Sequence, residues 1–227
     1  MFIVKLIASV LLNVLIFGVP LFLPAGTLDW WRAWVIVSLS FVGATGAIAS
    51  LAREHRGVLE ERMKSPIQRG QPFADKILVL LLLITFLGIL VVSSLDVFRF
   101  HLMSKPAPLV SSLGLALTMA GWWIAYLALR ENAFAALVVK RQEERGQIVI
   151  DTGVYAVVRH PMYAGGSLLL IGIPLWLESY AGALIACLAV ATLVVRISLE
   201  ERFLRRELAG YQAYASRVRY RLIPLVW

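Results

Sequence analysis

The sequence predicts an all-α integral membrane protein with five to six transmembrane helices, a C-terminal helical hairpin and no Rossmann domain. Three observations carry this prediction. Of 227 residues, 60% are hydrophobic and only 16% are charged, against about 45–50% and about 25% in soluble domains. Uncharged runs cover 6–28, 33–52, 77–95, 106–129, 161–177 and 179–195, or 120 of the 227 residues. Basic residues alternate in density between the segments that join these runs. Soluble, disordered and collagen-like classes are excluded on composition.

Taken in order, the runs are 23, 20, 19, 24, 17 and 17 residues long, and a spanning helix needs roughly 17–25. The first is too long for a signal-peptide core and no A-x-A site follows it, so it is expected to be a retained span. Period-two alternation is absent, which sets a membrane barrel aside. Only Glu178 separates the last two runs, so residues 161–195 must fold back as a tight antiparallel hairpin. Each arm of 17 residues covers about 25 Å, marginal for a full span. Pro174 and Gly172 are candidate kink positions in its first arm.

Charge sets the orientation. With the N-terminus inside, the inner segments hold 18 basic residues: Lys5, six in 53–76, five in 130–159 and six in 202–221. The outer segments hold only Arg32, Arg99 and Lys105. This is a positive-inside pattern, and it places both termini on the cytoplasmic side. The net charge of +8 then belongs with anionic headgroups, and nucleic acid is not an expected partner. One cysteine, Cys187, and three dispersed histidines, His55, His101 and His160, give no metal cluster by spacing. Cys187 sits mid-run and reads as a small buried hydrophobe.

Chemistry concentrates in three inner regions. The loop 53–76 carries Arg53-Glu54-His55-Arg56 and Glu60-Glu61-Arg62. It reads first as a solvated interfacial segment and second as a lid. The run Gly153–Gly166 contains Arg159-His160-Pro161-Met162-Tyr163. Proline at a first helical position starts a helix, whose N–H groups and positive dipole end favour an anion. Arg159 adds a fork of donors, and Gly165 and Gly166 permit close approach of another backbone. The third region is Arg196-Ile197-Ser198-Leu199-Glu200-Glu201. Arg196 and Glu200 share a helix face and are a candidate local ion pair. The hairpin brings residues 160 and 196 to one mouth.

This constellation resembles the isoprenylcysteine carboxyl methyltransferase family and its bacterial relatives. The matching pattern is G-x-Y-x-x-x-R-H-P-x-Y-x-G at Gly153, Tyr155, Arg159, His160, Pro161, Tyr163 and Gly165. R-x-x-x-E-E-x-x-L follows at Arg196, Glu200, Glu201 and Leu204, then Tyr211, Tyr214, Arg217 and Pro224. The resemblance covers roughly residues 130–227, while the first four runs match only in being apolar. It implies a membrane methyltransferase that uses S-adenosylmethionine without a nucleotide-binding Rossmann domain. The sequence agrees on the last point, having no strand–GxGxxG–helix unit.

On that resemblance, the cofactor-binding residues are Gln147, Tyr155, Arg159, His160, Tyr163, Glu200 and Glu201, and the catalytic ones Arg196 and Glu201. Gln147 stands where many relatives carry a histidine, six residues before the glycine. Asn132 lies where some have a polar site residue. Chemically, Arg159 and the helix start suit a carboxylate, Glu200 or Glu201 an ammonium, and Tyr163 an adenine or a cation. The implied partners are membrane lipids and a lipophilic methyl acceptor entering between helices, with Trp122 and Trp123 either lining that gap or simply packing. The acceptor can be the carboxylate of a prenylated cysteine or a related lipid or thiol. The implied location is a bacterial inner membrane.

The organisation expected is a four-span region, 1–129, with its loop 53–76, and a methyltransferase-like region, 130–227, with the hairpin 161–195 and a cytoplasmic tail. Two other readings stay open. Membrane sterol reductases, which use a nicotinamide cofactor, resemble the Gly-Tyr-x-x-Tyr-x-x-Arg tail. A non-catalytic membrane protein fits the composition, although transporters carry polar groups near the bilayer midplane and here charge collects at the inner edge.

Overall fold

The computed structural model describes residues 2–54, 56–68, 70–140 and 142–227. His55 lies outside the described residues, as do the side chains of Arg53 and Glu54. All regular structure among them is helical: α1 (Phe2–Ala25), α2 (Trp31–Glu54), α3 (Arg56–Arg62), α4 (Phe73–Leu95), α5 (Pro108–Glu131), α6 (Pro161–Trp176), α7 (Tyr180–Glu207) and α8 (Tyr211–Arg217). Helices are what an apolar chain can form in lipid, because every backbone group is satisfied within the element. Trp31–Ala52, Phe73–Phe100, Pro108–Glu131 and Tyr180–Glu207 are long and apolar enough to cross a membrane, and Val10–Ala25 and Pro161–Trp176 are shorter apolar helices.

The outer faces match that setting. Ile7, Leu11 and Leu15 on α1, Ile77, Leu80, Ile84 and Leu87 on α4, and Leu184, Leu188 and Val195 on α7 are exposed. Their three- and four-residue steps trace one apolar stripe per helix. Cys187 lies exposed within the α7 stripe. This corrects its reading as a buried residue: hydropathy cannot tell a lipid-facing position from a bundle-facing one.

Inside the bundle, Phe17, Leu21, Trp30, Ile36, Leu90, Ile173, Trp176 and Leu177 form the main core, with Trp122 packed against it. Trp122 is therefore a packing residue, and Trp123 stacks on Tyr126 at 5.7 Å. The sequence's glycines set the tightest helix pair. α5 and α6 run antiparallel, with Gly121 against Gly165 and Gly114 against Gly172. A Cβ on any of these four would come within 2.6 Å of the opposing backbone. Gly172 thus serves close packing with Thr118 and Gly114.

Proline starts α5 and α6, the latter as its sequence predicts. The predicted hairpin is present: α6 ends at Trp176, Glu178 turns the chain with φ 66°, and the Ser179 hydroxyl caps α7 by accepting from Gly182 N at 2.9 Å. At this end of the bundle Ser179 donates to Asp96 at 2.7 Å. Arg32 pairs with Glu178 at 3.0 Å and stacks on Trp176. α7 does not stop where its uncharged run stops at 195 but continues to Glu207, carrying Arg196, Glu200 and Glu201 beyond the apolar part on a rigid rod.

The loop 53–76 departs from a solvated segment. α3 buries Val58, Leu59 and Glu61, and Glu61 pairs with Lys64 and with Lys140 of the long α5–α6 connection, both at 2.6 Å. The loop is docked onto the end of the bundle that carries residues 132–160 and 196–227.

Candidate active site

At that end a cavity of about 120 Å³ opens between the α5–α6 connection, the start of α6, the far end of α7 and α8. Its polar wall begins in the connection, where no ladder or long helix holds the backbone, so side chains do. Gln142 donates to Phe134 O at 2.7 Å and its N–H to Gln147 Oε1 at 2.9 Å. Arg145 donates to Gln142 Oε1 at 2.5 Å and to Ala133 O at 2.7 Å. Asn132 and Gln147 line the cavity from this segment.

Tyr155 lies next along the chain in a short 3₁₀ turn. The turn opens with Gly153 at φ 54°, where a Cβ would strike the Glu131 carboxylate at 2.7 Å. Burial pushes the Tyr155 phenol up to about 12, against a hydrogen bond with Asn132 that lowers it. The phenol is therefore neutral at physiological pH and able to donate. Its carbonyl accepts from the Tyr214 hydroxyl at 2.8 Å.

Arg159 and His160 immediately precede α6. Their backbone N–H groups donate to Tyr220 O and Arg221 O, both at 2.9 Å, stitching the C-terminal segment against the site. Arg159 Nε donates to Glu201 Oε1 at 2.5 Å, and Nη1 to Val218 O at 2.6 Å and Arg219 O at 2.8 Å. His160 Nε2 lies 3.3 Å from the same Glu201 oxygen. Arg221 takes the other oxygen at 3.1 Å. Glu201 is thus held by three side chains and is 3% exposed.

Glu200 points differently. It accepts from the Tyr163 hydroxyl at 2.5 Å and lines the cavity. The Tyr163 ring stacks on His160 at 5.6 Å and carries the Arg196 guanidinium over its other neighbourhood at 5.5 Å. Arg196 itself turns away to Asp75 Oδ1 at 2.8 Å and Leu137 O at 2.6 Å.

Of the residues singled out in the sequence, Gln147, Tyr155, Arg159, His160, Tyr163 and Glu200 line one cavity, while Arg196 and Glu201 stand behind its wall. One expectation is corrected. The structure pairs Arg196 with Asp75 instead of Glu200 on its own helix, because α4 brings an acid that is 3% exposed to the guanidinium. Arg159, which suits a carboxylate, and Glu201, one of the two acids that suit an ammonium, are hydrogen-bonded to each other. The sequence reading passed over Asp75, Gln142, Arg145 and the hydroxyl of Tyr211. Asp75 carried a signal: an acid at the lip of an apolar run, costly there unless paired.

Tyr211 is the other informative residue. It lines the cavity, is 4% exposed, and its hydroxyl has no hydrogen-bond partner among the described residues. The cavity therefore combines one available carboxylate, a helix N-terminus, several aromatic faces and an unsatisfied hydroxyl, which is a surface for a polar molecule carrying both charges.

Comparison with known proteins finds similarity in this region. Residues 107–209 match the family model described as phospholipid methyltransferase. The motif resemblance is borne out. The matched segment holds both the RHP run and the E-E run, and it runs from the start of α5 to the end of α7. Among solved structures, the eukaryotic intramembrane Ras methyltransferase, isoprenylcysteine carboxyl methyltransferase, is similar over 93% of this chain and 73% of its own. The TM-score is 0.53 and identity 16%. At that identity the likeness is one of fold. No curated protein matches the chain by sequence.

Proposed function

We propose that the chain is an S-adenosylmethionine-dependent membrane methyltransferase. It methylates a lipophilic acceptor at the cytoplasmic face: the carboxylate of a prenylated cysteine, or a related lipid or thiol. The observation that carries this is the convergence of Glu200, the start of α6 and the Tyr211 hydroxyl, unpartnered among the described residues, in one cavity lined mostly by the family-matched segment.

The donor set fits the cofactor. Glu200 suits an ammonium, and the N–H groups of the first turn of α6 suit a carboxylate. Tyr155, Tyr163 and Tyr211 supply ring faces and hydroxyls for an adenosine and a sulfonium. When bound, the cofactor supplies an electrophilic methyl group on sulfur. The chain's own residues then align and exclude water. Arg159 and Glu201 lock α6, α7 and the C-terminal segment together and so hold the cavity's shape. Arg196, fixed by Asp75, keeps a positive charge beside the Tyr163 ring. A carboxylate acceptor needs no base. An amine or thiol acceptor needs one, for which His160 is within the cavity wall. The basic excess of the inner segments supports placing this end, and both termini, on the cytoplasmic side of a bacterial inner membrane.

The test is calorimetry in nanodiscs with S-adenosylmethionine, its demethylated product and NADPH. Binding of the first two by wild type, weakened about tenfold or more by Glu200→Gln, supports the reading. Binding of NADPH alone, or of none of the three by folded protein, refutes it.

A further inference from the structure

Five arginines at the site's end of the bundle hold carboxylates: Arg159, Arg205 and Arg221 hold Glu201, Arg196 holds Asp75 and Arg217 holds Asp151. Arg62 does not. Its one hydrogen bond among the described residues runs from Nη1 to the Met162 Sδ at 3.3 Å, and a thioether is a weak acceptor. No acid among the described residues pairs with it. Glu61, its neighbour on α3, takes Lys64 and Lys140. Glu200 takes Tyr163, and Asp75 takes Arg196 and Gln71.

Burial lowers the pKa of the Arg62 guanidinium from its ordinary value. Tyr155 and Tyr163 act the other way and Arg196 adds to the fall. Arginine nonetheless keeps its charge in proteins. A half-buried cation near two phenols and a second guanidinium, with only sulfur as a hydrogen-bond partner among the described residues, is an incomplete ion pair. Desolvating a charge without a partner is costly, and an oxyanion entering beside it would complete the set.

Position adds a second line. Arg62 ends α3, between the spans of α2 and α4, where a lipid's polar end sits. It reaches the cavity through Met162, which lines it. α3 is pinned by Val58, Leu59 and the Glu61–Lys140 pair, so the guanidinium is preorganised. Residue 62 also lies outside the family-matched segment 107–209.

We propose that Arg62 binds the oxyanion of the lipophilic acceptor, either a carboxylate or a phosphate ester, beside the cavity. The proposal rests on the cavity being the cofactor site. The planar fork suits both oxyanions. A cation on the acceptor's oxygens holds it in place without making it more nucleophilic, so Arg62 acts in binding and orientation.

The experiment measures binding of two probe pairs to full-length protein in phosphatidylcholine nanodiscs. One pair is farnesylcysteine and its methyl ester; the other is phosphatidic acid and diacylglycerol. Wild type is expected to prefer the anion in at least one pair by about tenfold or more. The pair that shows the preference identifies the oxyanion. Arg62→Gln is expected to erase that preference with S-adenosylmethionine affinity kept within about twofold, and Arg62→Lys to retain part of it. No anion preference in wild type, an unchanged preference in Arg62→Gln, or parallel loss of cofactor affinity in both variants overturns the proposal. Failure of wild type to bind the cofactor is a separate result that refutes the proposed function instead.

Discussion

Arg196 reaches Asp75 across the bundle, donating from Nε to Oδ1 at 2.8 Å between residues 121 positions apart. The other oxygen of Asp75 accepts from the Val139 N–H at 3.0 Å and from Gln71 at 2.7 Å. One carboxylate therefore ties the start of α4, the cavity-lining connection and the far end of α7. The pair is nearly out of solvent, with side chains 8% and 3% exposed.

Asp75→Asn should lower stability sharply. Removing one charge of a buried pair strands the other, at a cost of about 3–5 kcal/mol. It should also loosen the wall at Leu137–Val139 and weaken cofactor binding. Thermal unfolding in nanodiscs and calorimetry read the two effects. Wild-type values in both would show that the tie carries neither stability nor site shape.

What the sequence made legible follows from local physics. Pro161 marks a helix start, Glu178 marks the turn, and the RHP and E-E runs had to meet once the hairpin closed. What stayed hidden depends on partners distant in the chain. Nothing local says that Arg196 prefers Asp75 to Glu200, or that Arg159 and Glu201 satisfy each other. The end of α7 was hidden for a related reason. An uncharged run measures the thickness of lipid, whereas a helix goes on through charged residues that find partners, as Arg196 and Glu201 do.

The glycine register of α5 and α6 predicts a sharp contrast between adjacent positions. Gly165→Ala would put a Cβ 2.6 Å from Gly121 O and 2.9 Å from Ala125 N. These are backbone atoms that cannot rotate away, so the helices must part, at about 1–3 kcal/mol. Gly166→Ala meets nothing within 4 Å and should be neutral or stabilising by up to about 1 kcal/mol through helix propensity. Unfolding temperatures of the two variants decide it, and equal effects would show that the tight seam is not at Gly165.

Glu61 predicts an acid-sensitive dock for α3. Burial pushes its carboxyl up, but Lys140 and Lys64 outweigh that, and the net value falls below the ordinary 4.5. A group whose folded pKa is lowered adds stability above its unfolded pKa and loses it as pH falls through the folded value. The contacts of α3 should therefore weaken on acidification below about pH 4.3. Glu61→Gln should be less stable at neutral pH and flatter in acid. Hydrogen exchange across 56–62 and 132–147 checks both, and identical pH profiles for the two proteins would count against the dock.

Tyr211 and Tyr214 sit one turn apart on α8 with rings 5.6 Å apart, and their hydroxyls have opposite fates. Tyr214 donates to Tyr155 O at 2.8 Å, while Tyr211 is buried against the cavity without a partner. Burial, with Glu201 and Glu200 adding to it, pushes the Tyr211 phenol well up, so it stays a neutral donor. Tyr211→Phe removes an unsatisfied buried hydroxyl and should leave stability unchanged or slightly higher, by about 1 kcal/mol. It should still weaken S-adenosylmethionine binding about two- to tenfold, the range of one neutral hydrogen bond. Tyr214→Phe should do the reverse, lowering stability by about 1 kcal/mol because the Tyr155 carbonyl loses its donor. Unfolding temperature and calorimetry on both variants separate the roles. If Tyr211→Phe loses stability without losing affinity, its hydroxyl serves the fold and not a ligand.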